Sequence, residues 1–437
     1  LASAPERRIV GLGIRAPRVG ADKQVEEFAM PMFRRSLFAR GRRAALPARL
    51  LVAAAVGLLA GCASLQSELP AATPGMFDDA HVAPAREPID PADVFRITPE
   101  MQAYIDQVVT PEAGRKGVRQ AMTEALYDRA KLKLEYDSST TRTAAEAFNA
   151  RQGNCLSLVI MTGAFAKALD LRVTYQQVAI DDTWSRSGGM YFFSGHVNLV
   201  LEHYFIDTLG KADRADVYTI DFMPAEGKQK VRPISEATVL AMFMNNRAAE
   251  AMVHGQLDDA YWRARQAIQL DPQFFSSYNT LGVVYLRRGD AARAENVLRF
   301  ALSGHPDDAR VLANYEQALR GLGRTAEADA VKAHLAAIEP TPPFYWYAQG
   351  QVALHGGDYA KARELFLKEL DRAPDYHEFH YALAVADFQL DRLDEARREM
   401  ALAMEDSVRR SDYDIYAAKL DKLKAWRATR AAPSMVQ

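Results

Sequence analysis

The sequence predicts a chain of several domains, with an α+β unit in the middle and an all-α solenoid behind it. Two observations carry this. Pro272, Pro306, Pro340 and Pro374 stand 34 residues apart, and Gly255, Gly289, Gly323, Gly357 and Asp391 keep the same step, as do Ala260, Ala294, Ala328, Ala362 and Ala396. Residues 99–232 lack that period and mix helical faces with β-branched and aromatic runs. A chain of 437 residues, 49% hydrophobic and 25% charged, has ample material for two to four cores. Lys and Arg total 54 against 56 Asp and Glu, which leaves no basic excess to neutralise phosphates and argues against a general nucleic-acid binder. Cys62 and Cys155 are the two cysteines, too few for a disulfide framework or a Cys-rich zinc site.

Residues 1–31 read as an upstream extension. From Met32 a basic stretch (Arg34, Arg35, Arg40, Arg42, Arg43, Arg49) leads into the apolar run Leu50 to Ala60, too short to span a bilayer but proportioned as a secretory signal peptide over 32–61. Its end, Leu59-Ala60-Gly61-Cys62, resembles the bacterial lipobox. That resemblance implies a lipid on Cys62 and cleavage before it, and Ala63 in place of Asp implies an outer-membrane lipoprotein facing the periplasm. Without residues 1–61 the chain keeps 43 basic and 52 acidic residues, so it is acidic and is expected to meet the membrane through its anchor. Residues 62–98, with Pro70, Pro74, Pro84, Pro88 and Pro91, read as a flexible tether.

In the middle domain, Ile97–Val109 and Val118–Leu134 are expected helices, and Thr143 with Glu146 opens a third as a capping box. Gln152-Gly153-Asn154 ends it. Cys155 then begins a run apolar on every side, as in a buried helix. Strands are expected at Val173–Ile180, Met190–Phe193, His196–Ile206 and Val217–Met223, with a flexible loop or lid over 181–189. A hairpin turning at Leu209-Gly210-Lys211 sets Asp221 opposite His196, because their midpoint, 208.5, falls at that turn, and leaves Asp207 near its tip. His203 is seven residues beyond His196 and faces the other side.

A cysteine at a helix start, a histidine on a strand and a carboxylate on the next strand compose a thiol nucleophile, a general base and an orienter. The helix dipole and an imidazolium both favour thiolate. The Cys155 backbone N–H, with Gln152 or Asn154, is the candidate oxyanion donor. A buried inert cysteine is the competing reading.

The stretch Ala144-x-Glu146 through Ala150-Arg151-Gln152-Gly153-Asn154-Cys155, the apolar helix, Leu169-Asp170-Leu171-Arg172-Val173 and Gly195-His196-Val197 resemble the transglutaminase-like superfamily. The resemblance implies a papain-like fold over 99–232 with a Cys155–His196–Asp221 triad, Asp207 being the alternative third member, and a peptidase or amidase activity without cofactor. Many members carry an aromatic residue where this chain has Asn198.

The 34-residue period and the pattern Leu281-Gly282, Tyr285, Gly289, Ala294, Ala301, Pro306 resemble the tetratricopeptide repeat, giving five helical pairs over 241–408. The third pair is the least regular, with Tyr315-Glu316 in the Leu-Gly positions. A capping helix and tail follow over 409–437. Asn279, Arg287, Arg310, Phe344, Tyr347, Tyr381 and Phe388 are expected to line a concave groove for a protein or peptide, and Trp346 to pack inside. No glycine-rich phosphate loop or His-Glu-x-x-His occurs, and His377 with His380 read as packing rather than metal ligands. The favoured reading is a periplasmic cysteine hydrolase whose repeats recruit protein. The alternative is an inactive scaffold lipoprotein.

Overall fold

The computed structural model describes residues 8–11 and 75–431, apart from 129, 133, 188–189, 207–211, 223–229 and 408–409. The leader over 32–61, Cys62 and Asp207 lie outside the described residues. Among the described residues no helix is long and apolar enough to cross a membrane.

The stretch read as tether is docked from residue 75 onward. Met76 and Val82 are buried in the core of the first two helical pairs, beside Tyr261 and Tyr285. The Asp78 amide donates to the Tyr261 hydroxyl (2.7 Å), the Tyr285 hydroxyl donates to the Met76 carbonyl (2.8 Å) and Trp262 Nε1 to the Ala83 carbonyl (2.7 Å). Prolines do not prevent docking, because side chains of the repeats supply partners for the backbone.

The middle domain begins with α1 (Pro91–Val94) and α2 (Pro99–Tyr104), continued by one π-turn (Ile105–Val109) into α3 (Thr110–Lys116). Helix α4 (Val118–Tyr127) stops seven residues before the expected Leu134, since Asp128 takes an extended backbone. Leu132 and Leu134 are buried nonetheless, from the following loop. Then come β2 (Glu135–Tyr136), α5 (Ala144–Ala150), β3 (Gln152–Gly153) and α6 (Cys155–Ala168). Helix α6 is the centre of the core: Leu156 to Ala166 are all buried, the outcome its apolar circumference predicts. It crosses the sheet closely, and a Cβ on Gly163 would meet Tyr175 Oη at 2.5 Å.

The sheet has the order β1-β6-β5-β4-β7, from β1 (Arg8–Gly11), β4 (Arg172–Ser187), β5 (Met190–Ile206), β6 (Ala212–Asp221) and β7 (Lys230–Ile234). All its pairs are antiparallel except β1 with β6. Within the expected loop over 181–189, the described residues 181–187 instead continue β4, paired with β5 from Thr183↔Ser194 to Ser187↔Met190 beyond a bulge after Val178. Their polar sequence hides a strand because backbone pairing needs no apolar face.

Five helical pairs follow: α7 (Glu236–Val253) with α8 (Leu257–Leu270), α9 (Ser276–Arg287) with α10 (Ala291–Gly304), α11 (Ala309–Gly321) with α12 (Thr325–Ile338), α13 (Tyr345–His355) with α14 (Tyr359–Leu370), and α15 (His377–Gln389) with α16 (Leu393–Glu405). Each turn inside a pair needs one left-handed residue. Gly255, Gly289, Gly323 and Gly357 supply it with φ of 71°, 78°, 73° and 81°, and Asp391 with 58°, which explains the residue kept at that step. The irregular third pair interrupts the core. Helix α12 buries only Ala328, and the apolar cluster reaching Ala318 gives way to a separate one beginning at Phe344. Helix α17 (Arg410–Ala431) closes the array by burying Tyr416 and Leu420 against Met400 and Ala403.

Candidate active site

Two local devices set the start of α6. The Thr143 hydroxyl accepts from the Glu146 amide (3.2 Å) and Glu146 Oε2 accepts from the Thr143 amide (2.8 Å), the reciprocal box that starts α5. Helix α5 ends at Arg151 in the left-handed region (φ 54°), which turns the chain into β3. Strand β3 pairs in parallel with β2, so that Tyr136 lies beside Gly153. Asn154 caps α6: its Oδ1 accepts from the Ser157 amide (2.9 Å) and hydroxyl (2.7 Å). Cys155, a free and half-buried thiol, follows at once.

Strand β5 carries His196 beneath that helix, buried at 1% exposure. The β5–β6 ladder runs to Leu199↔Ile220, a register two residues away from the one that sets His196 opposite Asp221. Asp221 therefore adjoins Asn198. A shift of two preserves the face, and the carboxylate spans both neighbours: Oδ1 is 2.6 Å from His196 Nε2, and Oδ2 accepts from Asn198 Nδ2 at 2.9 Å. His196 Nδ1, on the ring's other side, is buried without a protein hydrogen bond of good geometry, and the Cys155 thiol acts on the imidazole as a nearby partner. Burial disfavours the imidazolium. The hydrogen bond to Asp221 opposes it, then the interaction with the nearby Cys155 thiol, then the charges of both, and the net result is a pKa raised to about 9.

A thiol, an imidazole that holds its proton at neutral pH and a buried carboxylate that orients the ring thus share one place. Such a set can deliver a thiolate to an electrophilic carbon and a proton to the group that leaves. Of the two oxyanion candidates, Asn154 spends its side chain on the helix cap and on Thr141 Oγ1 (2.9 Å), a structural duty. Gln152 sits half-buried on β3. Tyr136, which sequence reasoning passed over, pairs with Gly153 on β3 and lies close enough to Cys155 to interact with it. Burial pushes the Tyr136 phenol up, and charge on Cys155 pushes the same way. A two-residue strand has no periodicity by which to find this residue.

The groove residues divide. Phe344 and Tyr347 belong to the core, packed on Phe379 with ring centroids 5.3 Å away in each case, which corrects their groove assignment. Pro342-Pro343 delays α13, and Phe344 enters it from the left-handed region (φ 63°). Trp346, expected inside, is half-buried with Lys368 over its ring. Arg310 is committed to Asp308 through Nε (3.0 Å) and Nη2 (2.6 Å). Asn279 accepts from Asn314 across adjacent pairs (2.8 Å), Arg287 is exposed, and Phe388 is half-buried. Tyr381 stacks on Tyr416 of the closing helix (5.2 Å). His377 meets the Tyr416 hydroxyl (2.9 Å), and His380 meets Glu399 (2.7 Å) and the Pro374 carbonyl (2.6 Å).

Residues 264–296 match the tetratricopeptide repeat family. No curated protein matches the chain. Among solved structures, a thermophilic tetratricopeptide-repeat protein of Thermus thermophilus is 21% identical, over 41% of this chain and 98% of its own, with a TM-score of 0.28. PilF of Pseudomonas aeruginosa is 22% identical over 44% of this chain and 87% of its own, with a TM-score of 0.28. YrrB, described as a repeat protein with an unusual peptide-binding site, is 16% identical over 41% of this chain and 92% of its own, with a TM-score of 0.23.

Proposed function

We propose that the chain is a transglutaminase-like cysteine hydrolase of the cell envelope, anchored to the outer membrane through a lipid on Cys62, with repeats that bind its protein substrate or partner. The observation that carries this reading is the buried imidazole of His196 bonded to the Asp221 carboxylate, with the Cys155 thiol near enough to help raise its proton affinity.

In the proposed reaction, Cys155 Sγ attacks the carbonyl carbon of a peptide or amide, and the new C–S bond forms as the carbonyl pair moves to oxygen. That oxygen accepts hydrogen bonds from the Cys155 N–H and the Tyr136 hydroxyl. The pair returns, the C–N bond breaks, and His196 gives its proton to the leaving amine. Water then attacks the thioester; His196 takes the water's proton, and the acid product leaves with the thiol restored. Asp221, itself held by Asn198, fixes the ring through Nε2 and leaves Nδ1 to serve the sulfur. An amine in place of water would give transamidation at the same site.

The matched repeat supports an interaction role, and with it the second reading, a scaffold whose function lies in the solenoid. Incubating envelope proteins with wild-type and Cys155→Ala protein, then mapping peptide termini and isopeptide links by mass spectrometry, separates the two. New termini with the wild type alone are the expected result. New links alone mean transamidation, and no difference favours the scaffold.

A further inference from the structure

Residues 137–142 run between α6 and α7, the first helix of the repeat array, and Thr141 lies buried among them at 1% exposure. On one side its Oγ1 accepts from Asn154 Nδ2 (2.9 Å), the residue that caps α6 directly before Cys155. On the other side α7 takes everything else Thr141 offers. The Thr141 amide donates to Glu250 Oε1 (2.7 Å), its carbonyl accepts from Arg247 Nη1 (3.1 Å), and Asn246 Nδ2 reaches the same Oγ1 (3.3 Å). Arg142 closes the connection by donating its amide to Ser157 Oγ (2.8 Å) in the first turn of α6.

Helix α7 is itself shared by two cores. Val239, Phe243 and Met244 pack into the middle domain, whereas Ala248, Ala251 and Met252 pack into the solenoid. The backbone hydrogen bonds at Thr141 are partly buried, so losing one costs a partner that water replaces poorly and shifts the segment. The next link is the cap that sets where the Cys155 sulfur and amide stand.

We infer that Glu250 and Thr141 are positioning residues for Cys155, acting through Asn154, and that the first repeat is a working part of the site rather than a detachable arm. This rests on Cys155 being the reacting group. Displacement of a reacting atom by about 1 Å from a distant substitution can cost about 10²-fold in rate.

The test uses the full chain with two reagents, p-nitrophenyl acetate, which must form an oxyanion at the thiol, and iodoacetamide, which need not. Glu250→Ala is expected to slow p-nitrophenolate release by about 10- to 10²-fold. Glu250→Gln, which keeps an oxygen acceptor for the Thr141 amide, is expected to recover most of that rate. Gly350→Ala serves as the control for lost stability alone: its Cβ would meet Phe366 Cε1 at 2.5 Å in the fourth pair, and it is expected to lower the melting temperature without changing the rate. If Glu250→Ala does not fold, Thr141→Val removes only the shared hydroxyl and is read in the same way. A folded Glu250→Ala or Thr141→Val that reacts like the wild type overturns the inference, as does equal slowing by Gly350→Ala. A wild type that reacts with neither reagent, or no faster than Cys155→Ala, overturns instead the premise that Cys155 reacts.

Discussion

Replacing His196 by Ala is expected to slow iodoacetamide alkylation of Cys155 by about 10²-fold or more at neutral pH, within the 10²–10⁴ typical of a positioned acid–base group. The thiolate is the attacking species, and an adjacent imidazolium favours it. With a pKa raised to about 9, His196 keeps that charge across the neutral range, so its removal costs most there. The cavity left by Ala is a second perturbation, and His196→Gln fills much of it while removing the charge. Similar slowing in both variants, followed by adduct mass on the intact chain, is the expected result. Alkylation at the wild-type rate in either would detach the imidazole from the thiol.

Asp221→Ala should be the most damaging single substitution in the middle domain. It removes the one carboxylate between His196 Nε2 and Asn198 Nδ2, leaving a buried ring and a buried amide without an acceptor. Breaking a buried pair from one side costs on the order of 3–5 kcal/mol. The cost has a pH signature. His196 is raised in the folded state from 6.5 to about 9, so its contribution is fully present below about pH 6.5 and is lost as pH rises through about 9. Urea unfolding of wild type and variant across that range should show the gap narrowing toward high pH, with the remainder set by the stranded Asn198 amide. A gap independent of pH would mean that the pair carries no charge in the native state.

Much of this architecture is legible in the chain because it depends on local rules. A left-handed residue at every helix-pair turn, a small residue five positions later and a proline after each of the first four pairs are repeated demands, and they leave a period. The start of α6 is legible too, through a capping box, Asn154 and an apolar circumference. What was hidden depends on contacts far apart in sequence. The β5–β6 register differs by two residues from the symmetric hairpin, yet Asp221 still reaches His196, because a strand's face repeats every second residue. Asn198 acquires a role only when Asp221 is seen beside it. Tyr136, the docking of residues 76–83 and the grip of α7 on Thr141 all rest on single side chains meeting backbone across the fold, and such meetings leave no pattern in sequence. Phe344 and Tyr347 were misassigned to the groove because the motif's register ignores a left-handed residue at the helix entrance.

The most direct measurement is the titration of the His196 ring by nitrogen-edited NMR in the wild type and in Cys155→Ala. Thiol and imidazole acting as one unit require a midpoint near 9 in the wild type and a clearly lower one once the sulfur is gone, since the nearby Cys155 thiol contributes to the raised value. A midpoint unmoved by the substitution would mean that the two groups do not sense one another, and the catalytic account would fail.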